Sequence, residues 1–249
     1  MNKSNKLKNL QITAYLGKPI ALSDDYSPSI DALLEWLWLD ERGLARTNPS
    51  PDSLIQTELP IKKGRITGEW LFDEWYWCVS SPHYQIEYEQ TSRFRKRWDY
   101  QDKHLSWGKK KAKVQRDGGF TKNVDLPLFL RNTNRIDWFA VGDRVELHRL
   151  LEQCTHLGKA RSCGYGEVLK WDVTEIENDW HLWRNGNLAR PIPYEYFAPL
   201  NHKERLPMMS WAWRPPGWMD CNRELCVMPK HNVVKVKPKP IKNQKNGTT

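Results

Sequence analysis

Residues 10–17, LQITAYLG, put Leu10, Ile12, Ala14 and Leu16 at every second position with polar residues between them. A period of two predicts a strand buried on one face. In SPSIDALLEWLWLDERGL (27–44) the spacing changes to threes and fours. Ile30, Leu33, Leu34, Leu37 and Trp38 then share one side of an amphipathic helix. Ser27 is its expected cap, Pro28 its first residue and Gly43 its stop. Past a Pro- and Ser-containing loop at 47–53, GEWLFDEWYWCVSS (68–81) and YQIEYEQ (84–90) predict two strands, turned at Ser81-Pro82-His83.

RIDWFAVG (135–142) predicts a further strand. DRVELHRLLEQCTHL (143–157) predicts a second helix, capped at Asp143, with Val145, Leu147, Leu150, Leu151 and Cys154 as its apolar set. EVLKWDVTEI (167–176) is the expected strand after it, and Asn185-Gly186 the expected turn of a hairpin. The order βα, strands, βαβ is that of ferredoxin-like and RRM-like α+β domains. A Trp/Pro-rich extension, MMSWAWRPPGWMDCNRELCVMP (208–229), follows it.

Charge changes this picture. The chain of 249 residues carries a net charge of +9, which favours a polyanionic partner. The excess is local. RFRKRWDYQDKHLSWGKKKAKVQR (93–116) holds ten Lys and Arg against Asp99 and Asp102, and the tail 230–249 adds six lysines and no acid. The rest of the chain is therefore net acidic, and the tail is expected to be disordered. No apolar run is long enough to span a membrane or to act as a signal peptide. The expected location is cytoplasmic, with no membrane partner. The five cysteines are scattered as reduced thiols are, and Cys221 and Cys226 have no second pair to complete a zinc site. The Asp24-Asp25 pair reads as a solvated loop, so no metal or cofactor is expected.

The candidate chemistry centres on HLGKARSCGYGEV (156–168). Gly158, Gly164 and Gly166 admit positive φ and could let backbone N–H groups converge on an oxyanion, with Lys159, Arg161 and Ser162 beside them. The loop follows a helix C-terminus, where the dipole repels anions, and its spacing fails the dinucleotide and P-loop templates. A nucleotide cofactor is disfavoured. Spacing alone leaves both a structural turn and a grip on RNA backbone open.

In the basic stretch, cations alternate with Phe94, Trp98, Tyr100 and Trp107, a pairing that suits single-stranded RNA through phosphate contact and base stacking. His83, His104 and His156 are the general-base candidates a metal-free ribonuclease would need, but none has a partner at a diagnostic spacing. Trp36, Trp38 and Trp171 are expected in the core. Trp211, Trp213 and Trp218 are expected to cover a sheet face.

The pieces ITAYLGKPIAL, SPSIDALLEW, the helix and loop VGDRVELHRLLEQCTHLGKARSCGYGEVLKW, ARPIPY and WRPPGW with CVMP resemble the RAMP superfamily of CRISPR proteins. More narrowly, they resemble the type IV subunit related to the group that caps the crRNA 5′ handle. The resemblance spans roughly residues 10–229 and implies a RAMP domain over 8–229. It implies an RRM-like body with a basic thumb inserted at about 91–130. It also implies RNA contact by Gly158, Lys159, Arg161, Ser162, Gly164, Tyr165 and Gly166 of the loop. The thumb would add Arg93, Arg95, Lys96, Arg97, Trp98, Trp107, Lys109, Lys110 and Lys111.

The implied role is non-catalytic. The subunit would hold the crRNA 5′ handle, meet backbone RAMP subunits and a large- or small-type subunit, and lie close to target DNA. A metal-independent crRNA-processing endoribonuclease is the alternative, and a free single-strand RNA-binding module is a third reading.

Overall fold

The computed structural model describes residues 7–44, 57–65, 75–97, 106–107, 110–111, 122–197, 205–215, 217 and 219–236, with backbone alone at 106, 107, 110, 111 and 221. The fold is mixed α+β. We label its main elements β1 (Lys8–Leu16), α1 (Ile30–Glu41), β2 (His83–Ile86), β3 (Tyr88–Lys96), β4 (Val124–Asn132), β5 (Arg135–Gly142), α2 (Arg144–Leu151), β6 (Val168–Glu175), β7 (Ile192–Pro193), β8 (Met208–Ala212), β9 (Arg223–Val227) and β10 (Val233–Lys235).

The alternation in the first strand places it at the heart of a five-stranded sheet of order β6-β1-β5-β2-β10. β1 runs antiparallel to both neighbours, from Lys8↔Gly142 to Tyr15↔Arg135 against β5 and from Leu10↔Glu175 against β6. Leu10, Ile12 and Ala14 are fully buried on one face. There they meet Ile136, Trp138 and Ala140 of β5, Trp171 and Val173 of β6, and the inner sides of both helices. The two buried indoles keep their N–H groups satisfied: Trp138 donates to the Pro28 carbonyl (3.0 Å) and Trp171 to that of Cys154 (2.9 Å).

Several details depart from the sequence expectations. α1 starts at Ile30 with Ser29, not Ser27, at the cap position. The Ser27 hydroxyl instead donates to Asp24, closing the preceding turn. The expected face packs on the core, with Ile30, Leu34 and Leu37 inside it and Leu33 and Trp38 against it, but the buried arc is wider and takes in Asp31 and Glu35, 3% and 6% exposed, while Trp36 is 42% exposed. The carboxylates have partners: Asp31 lies 3.8 Å from the Arg190 guanidinium, and Glu35 bonds Thr57. α2 is capped as expected, the Asp143 carboxylate accepting from the N–H groups of Val145 and Glu146. It ends at Leu151, not 157, and Val145 points to solvent because it stands nearly opposite Leu147, Leu150 and Leu151.

The strand expected over 84–90 breaks at Glu87. β2 stays in the main sheet, whereas β3 leaves it to pair with β4 from Tyr88↔Asn132 to Lys96↔Val124. The inserted basic segment therefore rises as a two-stranded ribbon, with a smaller hairpin, Ser106–Trp107 against Lys110–Lys111, within it.

Asn185-Gly186 turns a hairpin with both residues at positive φ, as expected. In the C-terminal extension, strands in the order β7-β9-β8 carry a second core of Tyr76, Cys78, Val141, Trp213, Cys226 and Met228. Trp213 covers as expected, and Trp218 lies outside the described residues.

The tail is not wholly without structure. β10 adds to β2 in parallel, joined by Tyr84 N–H to Asn232 O (3.0 Å) and Val236 N–H to Ile86 O (3.0 Å). Two adjacent valines and a Lys235–Glu89 ion pair at 2.7 Å favour that pairing over a solvated tail. Residues 237–249 lie outside the described residues. No helix among the described residues is long and apolar enough to cross a membrane.

Candidate nucleic-acid interface

The glycine loop is folded onto the chain that follows β1. His156 bridges Glu167, and the Leu157 N–H donates to Gly166 O (2.8 Å). Across the crossing, the Gly166 N–H donates to Pro19 O (2.9 Å) and the Lys159 N–H to Ala21 O (2.8 Å). The glycines at 158 and 166 answer to this crossing. A Cβ on Gly158 would lie 2.6 Å from Ala21 O, and one on Gly166 would lie 2.0 Å from Leu157 O.

Residues 161–163 make one 3-10 turn between Ala160 (φ 54°) and Gly164 (φ 81°), with the N–H groups of Cys163 and Gly164 closing it. The N–H groups of Leu157, Lys159, Cys163, Gly164 and Gly166 are thus engaged inside the fold. The expected convergence of such groups on an oxyanion is not what these five do. The loop also begins beyond the end of α2 at Leu151, four residues short of His156, which weakens the dipole argument against an anion there.

Lys159, Arg161 and Ser162 are exposed. The Arg161 guanidinium stands 5.7 Å from the centre of the Trp36 ring, a cation–π distance. A groove of about 350 Å³ runs beside them, lined among others by Ser23, Trp36, His156, Lys159 and Arg161. Leu22 and Ser23 also line a second cleft with Glu89, Thr91, Phe129 and Arg131 at the foot of the ribbon. The two hollows adjoin. The Tyr165 hydroxyl donates to Ser92 Oγ (3.1 Å), fastening the loop to β3.

In the ribbon, Arg93 and Arg95 both approach the Asp125 carboxylate, at 2.8 and 3.5 Å. These partners hold the Asp125 carboxyl below its ordinary range. Lys96 is half-buried and Arg97 exposed. Trp107, Lys110 and Lys111 form the small hairpin, whose side chains are not described, and Trp98 and Lys109 lie outside the described residues.

Arg131 is a residue the sequence reading missed. It donates to the Asp24 carbonyl (2.9 Å) and the Tyr84 hydroxyl and pairs with Asp25 and Glu89, pinning the ribbon's foot to the turn before α1. The Asp24-Asp25 pair is thereby an internal tie rather than a solvated loop.

The candidate bases occupy separate clefts. His83 is 8% exposed, in a cleft with Arg135, Asp137 and Arg184. Burial, reinforced by the Arg184 charge, pushes its pKa down to about 4, so its ring is neutral near pH 7. His156 lines the loop groove, its Nδ1 3.0 Å from the Thr155 hydroxyl. His104 lies outside the described residues. Among the described residues no cluster of three or more His, Cys, Asp or Glu could hold a metal ion.

With this geometry in view, comparison with known proteins gives one informative result. A family model described as CRISPR type IV associated protein Csf3 matches residues 8–229. A search of curated proteins finds no match.

Proposed function

Since the chain belongs to the Csf3 family of type IV CRISPR-associated proteins, and so to the subunits of a type IV CRISPR complex, we propose that it is a non-catalytic, crRNA-binding subunit that caps the 5′ handle. Base pairing by the guide would then read sequence, and this chain would hold the guide's end. The observation that carries the reading is the junction of loop and ribbon. Tyr165 ties the two together, and their clefts share Leu22 and Ser23. Lys159 and Arg161 thus line one hollow and Arg131 the hollow beside it.

The topology supports the same reading. β1-α1-β2-β5-α2-β6 forms a sheet in which the fourth strand precedes the first, third and second, the ferredoxin-like arrangement of RAMP bodies. The ribbon is the thumb, and the surface by which the chain meets the adjacent backbone subunit.

Titration of handle RNA against salt tests this. Each phosphate contact to a single strand contributes about 0.7 to the salt slope, so Lys159→Ala with Arg161→Ala should lower the slope by about 1.4 and weaken binding. An unchanged slope and affinity would remove the loop from the interface. Metal-free cutting of repeat RNA by the purified chain, abolished by His156→Ala, would replace capping with processing.

A further inference from the structure

The packing of α1 is costly in ordinary terms. It buries Asp31 and Glu35, the side chains water solvates best, and leaves an indole 42% exposed. Such a conflict between local chemistry and fold is characteristic of functional positions. Trp36 does not face open solvent. It lines the loop groove, and the cation nearest its ring, Arg161, arrives from a segment distant in sequence.

We propose that Trp36 is a base-stacking platform. One unpaired nucleobase of the bound RNA lies on the indole, and Lys159 and Arg161 hold the adjoining phosphate. The inference rests on the RNA-binding reading above and goes beyond it by placing a base as well as a phosphate. A groove of about 350 Å³ falls at the small end of ligand pockets, room for one nucleotide and not for a duplex. Arg161 stands off the ring by 5.7 Å, so its guanidinium can turn toward a phosphate as the base enters. Ser23 and His156 on the rim offer hydrogen bonds to base edge or ribose hydroxyl. A partner peptide would also cover an indole. The paired cations beside it favour an anionic occupant, so we assign RNA.

The test uses the full chain and single-stranded octaribonucleotides carrying 2-aminopurine at successive positions. Wild-type protein should quench the probe at one position. Stacking on one aromatic is lost with the ring, so Trp36→Ala should weaken binding roughly 5- to 150-fold. It should also abolish that quench and leave the salt slope unchanged. Trp36→Phe should keep most of the affinity and the quench, which guards against a folding defect in the alanine variant.

The proposal falls if Trp36→Ala binds within twofold of wild type with its quench intact. If Lys159→Ala with Arg161→Ala still lowers the slope in that case, the loop's role in RNA binding survives and the platform alone is wrong. If neither variant has an effect, both readings fail. Loss of a copurifying protein subunit on Trp36→Ala, with RNA binding intact, would give the indole to a protein partner and overturn the platform.

Discussion

At the loop, five backbone N–H groups are held by carbonyls, three within the loop and two in the crossing segment at Pro19 and Ala21, and two glycines sit where a Cβ would strike backbone oxygen. At the ribbon, nine residue pairs join β3 to β4, the foot of β4 pairs further with Ile20 and Ala21, and its strands are exposed or half-exposed along most of their length. Both regions read as basic. In the loop the backbone is fixed by the core and the cations project from a rigid base, whereas in the ribbon Arg93 and Arg95 are partly answered by Asp125. Formal charge therefore overstates what the ribbon presents to a polyanion.

The sharpest way to break the contrast is at Gly166. Its φ is +68°, and an added Cβ would lie 2.0 Å from Leu157 O. Gly166→Ala should lower the unfolding free energy by about 3 kcal/mol or more. Gly43 shares φ +68° but has nothing within 4 Å, so Gly43→Ala should cost about 1 kcal/mol. Urea unfolding of the two variants separates backbone conformation from close approach. Equal losses would mean that the close approach of Leu157 O to residue 166 does not lock the loop.

A second test uses the helix beneath the loop. Burial first, and Asp31 second, push the Glu35 carboxyl up to about 7, against the opposing hydrogen bond from Thr57. Its folded pKa lies above its unfolded one, so the fold binds the extra proton. Stability from this group is present at low pH and is lost as pH rises through 7. Glu35→Gln should remove that loss, gaining up to about 3 kcal/mol at pH 8 and almost nothing at pH 4. His83 slopes the other way: its pKa is depressed to about 4 by burial and Arg184, so its contribution is present near neutrality and fades as pH falls through 6.5 toward 4.

The two slopes oppose each other between about pH 4.5 and 6.5, so wild-type stability should be nearly flat there and that of Glu35→Gln should climb. Amide exchange then distinguishes the regions. The amides of Lys159 and Gly166 should slow in the variant at pH 8, because they open only with the core, and ribbon amides should not.

The sequence made the fold legible wherever burial imposed a simple period. β1 and β5 read almost to the residue because one face meets a continuous core. The apolar face of α1 read correctly, but the burial of Asp31 and Glu35 beside it did not, because an apolar period cannot reveal that Arg190, distant in sequence, would compensate Asp31. Trp36, expected in the core, instead lines the loop groove, which spacing along α1 does not reveal. The strand over 84–90 was visible, but its change of sheet at Glu87 depends on a partner at Asn132. At the site, Lys159 and Arg161 were readable as exposed cations. What 158 and 166 do was not: glycine in a turn and glycine under a crossing chain look alike in one dimension, and only Ala21 O and Leu157 O tell them apart.

The smallest effect tests the ribbon's masked charge directly. Asp125 takes a hydrogen bond from Arg93 and stands near Arg95 in an exposed setting, where ion pairs contribute little to stability. Asp125→Asn should therefore leave the melting temperature almost unchanged. Its effect should appear in RNA binding, where two released guanidiniums can reach phosphate and raise the salt slope by up to about 1.4, with a few-fold tighter binding at low salt. That sign is the reverse of the loop variant's. A higher slope would place the ribbon's cations along the RNA path with Lys159 and Arg161. An unchanged one would leave Arg93 and Arg95 as struts of the ribbon, with the grip confined to the loop and its groove.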